Sequence, residues 1–111
     1  MNKRRRQELR ILIQKIQTIL VTEGDITSDE IIDVIQELAG ELYNVLDEEM
    51  MCRDNIPENL QYSERYEKSD EACDNMEEAY DLLDSVEIGD TEEYIIDSLK
   101  KAITYIYSAC V

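Results

Sequence analysis

Residues 30–52, EIIDVIQELAGELYNVLDEEMMC, decide the fold. Ile31, Val34, Ile35, Leu38, Leu42, Val45 and Cys52 recur at three- and four-residue intervals. That is the period of a helix with one apolar face, where a strand would alternate every second residue. Thr27 precedes Glu30 by three residues, the spacing of a capping box, so the helix is predicted to run over about 28–54. Gly40 is its weak point, costing about 1 kcal/mol relative to alanine.

Working outward, the same period holds on both sides. Leu9, Leu12, Ile13, Ile16, Ile19 and Leu20 predict a helix over 3–22, with Gly24 expected to supply a left-handed residue at its end. Downstream, Pro57 disfavours helix at Ile56, which makes RDNIPENLQYS (53–63) a connection. Ser63 then caps a helix over 63–87 that turns Tyr66, Cys73, Met76, Tyr80 and Leu83 inward. Ile88, Gly89 and Asp90 break the chain again, and Thr91 caps a last helix over 91–109, with Glu92 and Glu93 suited to its dipole. With three glycines and one proline in 111 residues, little material is left for turns. The expectation is all-α: one domain, 1–111, built as an antiparallel bundle of about four helices with coiled-coil-like packing.

The last helix is apolar around most of its circumference, with a polar stripe of only Asp97, Lys101, Thr104 and Ser108. Such a helix needs cover on more than one side. Either it is central to the bundle, or Ile95, Leu99, Ile103, Ile106 and Tyr107 form the interface of a homodimer, the arrangement favoured for so short a chain.

The net charge of −16 is unevenly placed. Residues 1–15 carry six bases, Lys3, Arg4, Arg5, Arg6, Arg10 and Lys15, against Glu8 alone; residues 16–111 carry twenty-six acids against five bases. An acidic body of this kind repels nucleic acid and membrane headgroups and is steered toward basic protein surfaces. Direct nucleic-acid contact is open only to the N-terminal arm, whose bases oppose the helix dipole and which is expected to fray unless something anionic holds it. No stretch approaches the roughly 18 apolar residues of a membrane span.

Little here points to catalysis. Without histidine there is no imidazole base, and three cysteines (52, 73, 110) without a CxxC pair suggest neither a disulfide framework nor a zinc site. A reducing cytoplasm fits them. Cys52 and Cys73 fall on apolar seams as small core residues, and Cys110 is open to oxidation near the C-terminus. Asp25, Thr27 and Asp29 only faintly echo a calcium loop. Tyr62 and Tyr66 read as rim residues before ligand contacts. No cofactor, metal or enzymatic activity is implied. A small phosphate-bearing ligand would need basic residues inside, and the body has few.

The acids of 67–87, EKSDEACDNMEEAYDLLDSVE, are a different matter. With Cys73, Met76, Tyr80 and Leu83 inward, Glu67, Asp70, Glu71, Asp74, Glu77, Glu78, Asp81 and Asp84 share the outer face. They span about 26 Å, or about one carboxylate per 3–4 Å, close to the charge spacing of about 3.4 Å along one strand of duplex DNA. Ten acid pairs between Glu67 and Glu87 stand three or four residues apart, at a cost of roughly 2–5 kcal/mol relative to mixed charges. Two explanations compete for that cost. The basic arm covers the acids, or the face, helped by Asp47, Glu48 and Glu49, enters a basic channel of another protein.

The segment CRDNIPENLQYSERYEKSDEA (52–72), followed by AYDLLDSVE (79–87), resembles small acidic helical accessory proteins of Gram-positive phages, prophages and conjugative elements. In those, a Pro-Glu-Asn-Leu-Gln turn followed by Ser-Glu joins two long helices, matched here by Pro57, Glu58, Asn59, Leu60, Gln61, Ser63 and Glu64. The resemblance implies a mobile-element accessory protein, a group in which some members inhibit host defences. The resulting expectation is a non-enzymatic nucleic-acid mimic, anti-CRISPR-like, whose partner is a nucleic-acid-binding host protein. The alternative is a structural helical adaptor or oligomerisation module whose acids serve only solubility.

Overall fold

The computed structural model describes residues 1–22, 24–61 and 63–110. They form four α-helices: α1 (Lys3–Leu20), α2 (Asp29–Asp54), α3 (Glu64–Asp84) and α4 (Glu92–Cys110). A 3-10 turn, Glu58–Leu60, follows Pro57 in the α2–α3 connection. Each helix starts where a short polar side chain can take an orphan backbone N–H. Asn2 accepts from Arg5 N at 2.8 Å, Ser63 from Tyr66 N at 3.3 Å and Thr91 from Tyr94 N at 3.2 Å. At α2 the cap is Ser28, not Thr27: Ser28 Oγ accepts from Ile31 N at 3.3 Å, while Thr27 is held by Asp25. Gly24 is not left-handed; α1 ends at Val21 through ordinary backbone bonds, and among the described residues the one positive φ is Gly89, at 99°.

The helices pack in chain order around a ring, α1 on α2, α2 on α3, α3 on α4 and α4 back on α1. Neighbours run antiparallel: Arg4 meets Glu48 while Lys15 meets Glu41, and Gln36 reaches the Val86 carbonyl while Arg53 reaches Asp70. The result is an elongated all-α bundle, 51 × 22 × 18 Å, with one core along its axis.

Each helix therefore touches two others, which broadens its buried stripe. On α2 the stripe comprises Ile32, Ile35, Leu38, Ala39, Leu42, Val45, Leu46 and Glu49. Ile32 takes the place expected for Ile31, and Val34 and Cys52 are exposed instead of buried. On α3 the inner side is lined by four small residues, Ser69, Ala72, Cys73 and Ala79, together with Met76 and Leu83. Tyr80 is half-buried and pairs with Tyr43 of α2 at a ring separation of 5.4 Å.

Much of the apolar surface of α4 finds its cover within the chain, between α1 and α3, while Tyr94 and Tyr107 stay exposed. Of the residues expected at a subunit interface, Ile95, Leu99 and Ile106 are 0 % exposed in the single chain, so they belong to its own core. Ile103 is half-buried, and only Tyr107 stands out into solvent.

No helix is long and apolar enough to cross a membrane, among the described residues.

Candidate protein-binding face

α3 forms despite its charge. Ser63 caps it, and Glu64 and Glu67 stand in the first turn where the dipole favours them. Farther along the balance reverses: Asp81 and Asp84 lie near the C-terminal end, with no basic side chain in the last turn. What holds the helix is its small apolar stripe, buried on α2 and α4, which outweighs repulsion on the opposite side.

That opposite side carries Glu67, Glu71, Asp74, Glu77, Glu78, Asp81 and Asp84, all exposed. None of the seven makes an ion pair among the described residues. Asp70, the eighth acid expected there, is half-buried and anchored by Arg53 Nη1 at 2.9 Å, so it serves the α2–α3 seam. The remaining α3 pair, Lys68–Glu64 at 3.0 Å, sits at the N-terminal end, where both side chains are exposed.

The basic arm lies elsewhere. Held by carboxylates, it forms the first turns of α1 and docks on the C-terminal half of α2. Arg4 holds Glu48 at 2.7 Å, Arg5 holds Glu49 at 2.9 Å and Lys15 holds Glu41 at 3.2 Å. α1 packs on α2 and α4 and not on the acids of α3. The chain's largest group of bases therefore leaves the α3 face uncompensated.

This docking also removes two residues from the acidic surface. Asp47 is exposed as expected, but Glu48 is half-buried against Arg4, and Glu49 is 1 % exposed. Glu49 sits at a three-helix junction: Oε2 accepts from Arg5 Nε, Oε1 accepts from Ser69 Oγ of α3 at 3.1 Å, and the Met1 ammonium lies 3.3 Å from Oε1. Arg5 reaches past it to Cys52 Sγ at 3.3 Å. A buried carboxylate survives only when charge and lone pairs are both matched, as they are here. The signal was present in spacing: Glu49 stands seven residues after Leu42, and Arg5 four before Leu9, both on core stripes.

The cysteines follow from the same geometry. Cys73 and Cys110 are buried, and burial pushes the Cys73 thiol up to about 11 and the Cys110 thiol above its ordinary value. Cys110 is thereby shielded from the oxidation expected of it, while Cys52 is the exposed thiol. Asp25 Oδ1 accepts from Thr27 Oγ1 at 2.6 Å and Thr27 N at 2.9 Å, bonds that hold its carboxyl below the usual value. That carboxylate orders a turn. Tyr66 is half-buried beside its cap, and Tyr62 lies outside the described residues.

Comparison with protein-family models, with curated proteins and with solved structures finds no match.

Proposed function

We propose that this chain is an accessory protein of a phage or related mobile element, acting without catalysis as an acidic nucleic-acid mimic. The outer face of α3 enters a basic nucleic-acid channel of a host defence or regulatory protein and blocks it, in the manner of an anti-CRISPR. One observation carries this reading: seven exposed carboxylates on one helix face make no ion pair among the described residues, while Arg4, Arg5 and Lys15 of the basic arm are engaged on α2. Glu67, Glu71, Asp74, Glu78 and Asp81 alternate steps of four and three residues, which puts them in one row about 21 Å long. A row of like charge attracts an arginine-lined channel over long range and is met there by charge-assisted bonds.

Charge reversal tests this. The variant Glu71→Lys, Asp74→Lys, Glu78→Lys, Asp81→Lys touches no core residue, so its helical circular dichroism should be retained. Wild-type protein is expected to capture a basic nucleic-acid-binding host protein and to be displaced by duplex DNA; the variant is expected to lose capture. Undiminished capture by the folded variant would overturn the proposal and leave the acids as a solubilising surface.

A further inference from the structure

At the end of the bundle where α1 and α3 begin, a cavity of about 200 Å³ opens between helices, lined by Asn2, Arg5, Glu49, Cys52, Arg65 and Ser69 among others. We propose that it is a binding site for a small tetrahedral oxyanion, inorganic phosphate or the phosphate group of a small monoester. This assignment does not involve the acidic face.

Charge is the first argument. In a chain of net −16, the cavity's side chains include two guanidinium groups against one carboxylate. Glu49 is already occupied, by Arg5 Nε and Ser69 Oγ, so it does not neutralise Arg65, which is exposed and makes no ion pair among the described residues. The contrast with other cavities is direct. The groove between α1 and α2, about 310 Å³, is lined by Glu8, Glu41 and Glu48 against Lys15 alone. A third, of about 240 Å³, has one base, Lys68, and one acid, Glu71, in its lining.

Preorganisation is the second argument. Arg5 is 6 % exposed and pinned by Glu49 and Cys52, bonds that engage two of its five N–H groups. Its guanidinium therefore presents donors at a fixed position, with little side-chain entropy left to lose on binding. The N-terminus of α1 points to the same end and has no acid in its first turn to offset its dipole. Size sets the class of ligand. About 200 Å³ falls below the roughly 300–1,000 Å³ of drug-sized sites, which suits one phosphate group and not a nucleotide.

Cys52 is a built-in reporter: it lines the cavity and is exposed, while Cys73 and Cys110 are buried. Its labelling by iodoacetamide, a neutral reagent, is followed in sodium phosphate, in glycerol phosphate and in sodium chloride, at equal ionic strength and pH. At ten times the dissociation constant, bound oxyanion is expected to slow Cys52 labelling about tenfold relative to chloride. Protection by inorganic phosphate assigns the free ion, and protection by glycerol phosphate alone assigns a monoester. Arg65→Ala should abolish protection and Arg65→Lys should restore part of it, with helical circular dichroism unchanged because Arg65 is exposed. Equal rates in all three salts up to the highest soluble concentrations, or full protection in Arg65→Ala, would overturn the assignment.

Discussion

Replacing Glu49 by alanine is expected to cost about 3–5 kcal/mol, read as a lower urea midpoint, because it leaves Arg5 charged and buried without its acceptor. The double variant Arg5→Met, Glu49→Leu removes both charges and should recover most of that loss, since well-packed apolar residues replace buried ion pairs at little or no cost. The comparison separates a stabilising contact from one that only fixes register. Ser69 supports the second role, because its hydroxyl ties α3 to the same carboxylate that ties α1 to α2. Slipping α1 by one residue along α2 would bury an unpaired guanidinium.

At the scale of the element, α3 opposes its own stability. Nine acid pairs within Glu64–Asp84, counted from Glu67, stand three or four residues apart, and Asp74 takes part in four, with Asp70, Glu71, Glu77 and Glu78. Asp74→Gln removes those four repulsions and replaces a weak helix former with a better one. It is expected to stabilise by roughly 0.8–2 kcal/mol at low salt, with a smaller gain at high salt. The same change should weaken capture of a basic partner. A stabilising substitution that impairs binding is the mark of charge retained for function. If Asp74→Gln stabilises and capture is unaffected, that residue lies outside the contact. Helix starts and two of the four caps were legible here, because Ser63 and Thr91 bond locally and the apolar period extends over whole helices. Asn2 went unremarked in the sequence, masked by the bases that follow it. At α2, Thr27 and Ser28 are adjacent candidates, and only the turn made by Asp25 selects between them.

For the whole molecule, the ring of helices decides what faces solvent. Tyr107 is 66 % exposed on α4, whose Ile95, Leu99, Ala102 and Ile106 are buried where it packs on α1 and α3. Tyr107→Glu is therefore expected to change stability by less than about 0.5 kcal/mol and to leave the mass by light scattering unaltered. A mass that falls by half would restore α4 as a subunit interface. By itself the sequence determined the all-α class, the four helices and the acidic outer side of α3, because local bonding and period depend on near neighbours in the chain. Only the tertiary structure decided that the basic arm docks on α2, that Glu49 is internal, that Cys52 is exposed in place of Cys110, and that Ile95, Leu99 and Ile106 of α4 are buried within the chain. Those outcomes depend on which helices become neighbours, and charge and burial at a residue are fixed by what another helix brings to it.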